Sequence, residues 1–228
     1  MKPYSKLEHA ICEPNYEKVV RLAKKKGCNL RETDSHCRTL LHWASMHGNP
    51  AIVNFLLQQG VSHAARTDYD FTALHFANCA ETTSLLIDAG ADIWATNGDT
   101  NKKRWKSIGN TPVHTATWYE KLDVLDVLLE RGADINCRNR EGTAPIHEAA
   151  AFHCVDFLES IIKRGADVDQ LDGNGRSPLH HAVENNNELH ICALISAGAT
   201  IPPDVQAEVD AICLPNDGTE PRDEREPE

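Results

Sequence analysis

Five short strings in this chain end in histidine: TLLH (39–42), TALH (72–75), TPVH (111–114), APIH (144–147) and SPLH (177–180). Their histidines, His42, His75, His114, His147 and His180, are spaced by 33, 39, 33 and 33 residues. A second string opens on glycine and keeps the same register: GVSHA (60–64), GADIW (90–94), GADIN (132–136), GADVD (165–169) and GATIP (198–202). Its glycine follows the histidine by 18 residues in four of the five cases. His9 and Gly27 extend the lattice backwards, His9 lying 33 residues before His42 and Gly27 lying 18 after His9. A fixed period of this length constrains the fold more than any composition does. Each unit is one small supersecondary piece that cannot bury its apolar face alone, so neighbours must stack.

Within a unit the signals are helical. Threonine or serine before the string is an N-cap residue, and proline suits the first turn. A second run follows, as in KLDVLDVLLERG, where Leu122, Leu125, Leu128 and Leu129 share one face at helical spacing. Gly132 ends that helix where a left-handed residue is favoured. ADINCRNREGTAP is polar and turn-rich and leads into the next unit.

Two motifs in register over six units resemble the ankyrin repeat family, across residues 5–202. The resemblance implies an all-α fold, an ankyrin-repeat α-solenoid with β-hairpin-like loops. The expected units are a capping repeat at 1–33 and repeats at 34–66, 67–105, 106–138, 139–171 and 172–203. A capping helix (204–214) with Val205, Val209 and Ile212 on one face and a disordered acidic tail (215–228) complete the chain. The repeated histidines are implied to hold loop to helix through backbone bonds. His180, His181 and His190 together suggest a metal site only weakly, because adjacent helical residues point in different directions.

The totals narrow the function. Formal charge is −11, with 25% charged and 41% apolar residues. An acidic balance disfavours general nucleic-acid binding. No apolar run approaches the ~20 residues that span a bilayer, and MKPYSKLEHAICEP lacks a signal-peptide core. Cys12, Cys28, Cys37, Cys79, Cys137, Cys154, Cys192 and Cys213 are dispersed, without CxxC spacing. Free thiols in a reducing compartment are the expectation. That places the chain in the cytosol, or in a host's cytosol or nucleus if it is a delivered effector or viral protein. No catalytic motif is present, so a non-enzymatic scaffold without cofactor or metal is expected.

The lattice breaks once. His75 to Gly90 is 15 residues, three short; Gly90 to His114 is 24, nine over. The third unit therefore carries a shortened helix pair and an extended following loop (97–108), which includes the basic stretch NKKRWK. Insertions in repeat arrays map to one face, often the binding face.

In the ankyrin family, contacts come from loop tips and from positions four and five after the motif histidine. Here those helix positions are Met46-His47, Trp118-Tyr119, Ala151-Phe152 and Glu184-Asn185, with Cys79-Ala80 an uncertain assignment in the shortened unit. Aromatic residues cluster in this set, and such residues with Arg are enriched in binding hot spots. The candidate partner-binding residues are Tyr69, Phe71, Lys102, Lys103, Arg104, Trp105, Lys106, Trp118, Tyr119, Arg140 and Phe152. Trp43 and Trp94 are expected in the core. The expected function is binding of a partner protein, by a monomer. The alternative is nucleic-acid or phosphate-ligand binding through 102–106, with Trp105 stacking on a base. Asn136, ending LLERGADIN, resembles a target of a eukaryotic asparaginyl hydroxylase; its other reading is an ordinary loop asparagine.

Overall fold

The computed structural model describes residues 3–13, 15–25, 28–98 and 109–213. Twelve α-helices and one 3-10 turn follow one another: α1 (Pro3–Cys12), α2 (Tyr16–Ala23), α3 (Leu40–Met46), α4 (Pro50–Gln58), the 3-10 turn (Ala73–Phe76), α5 (Ala80–Asp88), α6 (Pro112–Trp118), α7 (Leu122–Glu130), α8 (Pro145–Phe152), α9 (Val155–Lys163), α10 (Pro178–Glu184), α11 (Glu188–Ser196) and α12 (Gln206–Cys213). They form six pairs and a final helix. The first members stack in chain order, α1 on α3, then the 3-10 turn, α6, α8 and α10. The second members form another row, α2, α4, α5 and α7, then α9 and α11. Arg164 joins α9 to α7 with a two-pronged ion pair to Asp126, at 2.6 and 2.9 Å.

The core runs between the rows. Leu40, Leu41, Leu74, Val113, Ile146 and Leu179 supply it from the first members. Ile52, Leu56, Leu86, Leu125, Leu128, Leu158 and Leu194 supply it from the second. Each fully buried aliphatic is worth about 1.5–3 kcal/mol relative to exposure. Val205 and Val209 of the C-terminal segment close one end, and Leu7, Ala10 and Ile11 of α1 close the other.

The motif histidines explain the period. In α3, Nδ1 of His42 accepts the N–H of Thr39 at 3.0 Å. Its Nε2 then carries the proton and donates to the Phe71 carbonyl at 3.2 Å. His75 and His114 repeat this on the carbonyls of Asn110 and Thr143, both at 3.1 Å. One imidazole thus caps its own helix and pins the next loop. His180 has no following repeat, and its Nε2 meets the Asp204 carboxylate at 3.2 Å instead. The loops pair likewise: Asp68 N donates to His36 O, and Gly173 N to Glu141 O. At this last contact a Cβ on Gly142 would lie 2.6 Å from Gly173 N, so only glycine fits, at φ +75°.

The three-residue shortfall in the third pair falls on its first member. α5 keeps nine residues, like α4, while the 3-10 turn has four against seven in α3. Cys79 and Ala80 consequently cap and begin α5 rather than ending a first helix. Trp94, expected in the core, is 49% exposed. It occupies the position at which Asn136 and Asp169 accept the backbone N–H of Asp167 and Thr200. An indole has no acceptor for that link, so its ring turns outward.

Next to the motif histidine lies a column formed by Trp43, Phe76, Thr115, Glu148 and His181. Glu148 is only 8% exposed, and its Oε2 has no bonding partner. Burial alone pushes its carboxyl up to about 8.

Two pH dependences follow. Burial, opposed by the carbonyl bond, lowers His42, His75 and His114 to about 4 from 6.5. The unfolded chain binds more protons between those values, so stability is full above pH 6.5 and is lost as pH falls towards 4. The melting temperature should drop by roughly 10 °C or more between pH 7 and 5. His114→Gln should flatten that slope; an unchanged slope would exclude the imidazoles as its cause. Glu148 has the opposite sign. Its folded form holds a proton that the unfolded form loses above 4.5, so its contribution declines as pH rises to 8. Glu148→Gln should gain stability over wild type as pH rises from 5 to 8, read by urea midpoints. A pH-independent difference would count against a protonated buried carboxyl.

Candidate functional site

α6 and α8 end in exposed aromatic rings. Trp118, the last residue of α6, is 51% exposed, Tyr119 61% and Phe152, the last residue of α8, 66%. Trp118 and Phe152 touch, with centroids 6.1 Å apart and planes tilted by 60°. The rings sit at the helix ends because both positions follow the motif histidine by four or five residues, on the side turned from the core. They account for three of the seven exposed large apolar side chains among the described residues.

Beneath them lies His153. Its side chain is 9% exposed, edge-on to Trp118 at 6.4 Å and tilted on Phe157 at 5.3 Å. Nδ1 donates to Glu120 Oε1 at 3.0 Å, tying the end of α8 back to the turn after α6. Glu120 holds a left-handed conformation at φ +53°, as Gly48 and Asn186 do after α3 and α10. His153 does not: it is extended, at φ −98° and ψ 177°, and α8 runs one residue longer than α6. No sequence signal announces this turn, since Glu120 takes the left-handed conformation at the same position without being Gly or Asn.

The other candidates divide. Tyr69 is half-buried at a loop tip, and its carbonyl accepts Gly98 N at 3.0 Å. Phe71, expected at a contact position, packs inward against His75 at 5.4 Å and Phe76 at 5.5 Å, filling space left by the shortened helix. Arg140 is exposed, and its stem lies against Gly109, whose added Cβ would come within 2.7 Å of its Cγ. Asn97 clamps the ends of the insertion: its Oδ1 accepts Gly109 N at 3.0 Å and Asn110 N at 2.7 Å. Lys102, Lys103, Arg104, Trp105 and Lys106 lie outside the described residues, as does the acidic tail. Asn136 links loops, with Oδ1 accepting Asp167 N at 2.8 Å and Nδ2 donating to Gly165 O at 3.1 Å.

Reactive groups are held in structural roles. Cys137 lies 3.6 Å from His114 Nδ1, but burial raises its thiol to about 11 while His114 is lowered to about 4. Both stay neutral, so the pair is not a thiolate nucleophile. His180, His181 and His190 are separately engaged by Asp204, by Asp172 and by the carbonyl of His153. Burial opposes the Asp172 carboxylate, yet the N–H groups of Arg176 and Asn174 and the side chains of His181 and Arg176 hold its pKa well below the usual range.

The family model described as ankyrin repeats (3 copies) matches residues 7–97 and 113–204. Among curated proteins, the mouse B-cell lymphoma 3 protein homolog is 33% identical over 132 residues, 55% of this chain and 28% of that protein. A putative ankyrin repeat protein of fowlpox virus is 34% identical over 134 residues, 56% of this chain and 37% of that one. Human diacylglycerol kinase iota matches at 33% identity over 11% of its length. The chain thus spans well under half of these relatives. Among solved structures, the ankyrin repeat domain of Bcl-3 superposes with a TM-score of 0.67 at 26% identity, covering 86% of each chain. A chain from the complex of a Bdellovibrio bacteriovorus predatory endopeptidase with an immunity protein gives 0.69 at 26% identity, covering 84% of this chain and 97% of that one. Family match and fold agree over nearly all the described residues, and the chain belongs to the ankyrin repeat family.

Proposed function

We propose that this protein binds a partner protein through the aromatic ledge of Trp118, Tyr119 and Phe152, with no chemistry of its own. Ankyrin repeats are generally protein–protein interaction modules. The observation that carries the specific site is the contiguity of three exposed rings at the ends of neighbouring first helices. Leaving such area in water is costly unless a partner covers it. Tyr69 and Arg140 extend the surface along the loop tips. The insertion enters beside Tyr69 and leaves beside Arg140. This supports Lys102, Lys103, Arg104, Trp105 and Lys106 as a second contact segment. Asn136 is retained as a proposed hydroxylation target; both of its side-chain polar atoms hold the next loop, so modification would require the two loops to part.

The proposed setting is the cytosol or nucleus, as a monomer. The seven described cysteines are free thiols, as a reducing compartment maintains. Among the described residues no helix is long and apolar enough to cross a membrane.

A triple variant, Trp118→Ala/Tyr119→Ala/Phe152→Ala, should keep its circular dichroism and lose partners recovered by wild type in affinity purification with mass spectrometry. Hot-spot truncations cost about 2 kcal/mol or more each. Equal recovery by the folded variant removes the ledge as the site. Oligonucleotides, single- or double-stranded, should not shift with the protein on a gel at ~50 mM salt. A shift abolished by Lys102→Ala/Lys103→Ala/Arg104→Ala/Lys106→Ala would establish the nucleic-acid alternative.

A further inference from the structure

The turn between α8 and α9 is built differently from its counterparts, and the next repeat closes it. After α3, α6 and α10 the chain turns through a left-handed residue, and the following N–H reaches back into the helix. Asn49 N donates to Ala44 O, Lys121 N to Ala116 O and Asn187 N to Ala182 O. After α8 the bond to the corresponding carbonyl, Ala149 O, comes one residue early, from His153 N at 3.4 Å. The last carbonyls of α8 therefore need other donors. Asn187, at the N-cap of α11, supplies them: its Nδ2 donates to Ala151 O at 2.8 Å and Ala150 O at 3.2 Å. His190, one turn further along, donates from Nε2 to His153 O at 2.7 Å. His190 is buried in α11 at the place where the other second helices carry Ile52, Val124 and Phe157. An aliphatic or phenyl ring there would pack but could not donate.

We infer that Asn187 and His190 are positioning residues for the aromatic ledge: they hold from the sixth helix pair the open end of α8 that presents Phe152 and tucks His153 under Trp118. Neither touches the exposed rings. They act through the Ala150, Ala151 and His153 carbonyls, so the ledge's shape depends on α11 docking against α8 and α9. The role in binding rests on the ledge being the partner site; the geometric role does not.

Both are tested on the full chain in a Trp43→Phe/Trp94→Phe/Trp105→Phe background, where Trp118 is the remaining tryptophan. Asn187→Ala and His190→Ala should each shift the Trp118 emission and change its quenching by acrylamide. Amide exchange at 150–154 should accelerate by about tenfold, the scale of one net hydrogen bond of roughly 1.4 kcal/mol. Exchange in α3 and α4 should stay as in wild type. His190→Gln, which keeps a donor, should restore part of the Trp118 signal, whereas His190→Leu, which restores only packing, should not. An unchanged Trp118 signal and unchanged exchange at 150–154 in both alanine variants would overturn the inference, as would full rescue by His190→Leu. Partner recovery is read separately. If the alanine variants move Trp118 but the triple ledge variant still captures its partner, the positioning role stands and the ledge reading fails.

Discussion

The interaction on which the rest depends is a neutral imidazole bonded at both nitrogens. Nδ1 accepts from the backbone N–H that opens its own helix, so the proton must sit on Nε2. Nε2 can then donate to a carbonyl of the next loop. One side chain thus serves the N–H that opens its own helix and a second lone pair of a carbonyl that already closes the next loop, inside a core where unpaired polar groups are costly. Lysine could not accept at Nδ1's place, nor could a carboxylate donate at Nε2's. The requirement for both explains why histidine recurs at this position, and why the string before it varies more freely.

That link is intact at His42, His75 and His114 and altered beyond them. Ala144 replaces the capping hydroxyl at the fifth pair, and the Nε2 of His147 is buried without a partner. Its ring lies edge-on to His181 at 5.1 Å. Glu148 is buried beside it, and the turn after α8 departs from the left-handed pattern. Other cross-links make up the loss. Within the sixth unit Asp172 gathers Arg176 and His181 and Arg176 reaches Glu184, while Asn187 and His190 cross over to cap α8 in the fifth pair. The last two pairs are thus joined by side chains chosen locally, whereas the earlier ones share a repeated device.

This division sets what could be read from the sequence. The period and the helix pairs follow from residues recurring in register, and the structure builds them. Spacing alone located the shortfall between His75 and Gly90 but could not assign it, because four residues of 3-10 turn or a shorter α5 give the same count. Trp94 was misjudged for a related reason. Its register matches a framework position, but that position is defined by a hydrogen-bond acceptor, and apolar character carries no information about acceptors. Spacing also could not show that the half-buried ring of Phe71 packs against His75 and Phe76 of the short first helix. The exposure of Trp118, Tyr119 and Phe152 was legible from their register after the motif histidine. The residues that support them were not. Asn187 and His190 act across repeats on backbone carbonyls, and a carbonyl has no signature in a sequence.

The irregular features of the third pair share one consequence. Its first helix is a single turn, its Trp94 withdraws the acceptor that elsewhere joins consecutive loops, and the insertion enters at the same loop. Asn97, just before the insertion, binds the residues just after it: its Oδ1 accepts the N–H groups of Gly109 and Asn110. The inserted segment itself, residues 99 to 108, lies outside the described residues. Its sequence carries four basic side chains and a tryptophan. The aromatic ledge is held from α11. A partner covering the ledge would meet a surface set from the sixth helix pair by Asn187 and His190, whereas Asn97 fixes where the chain rejoins the stack after the insertion.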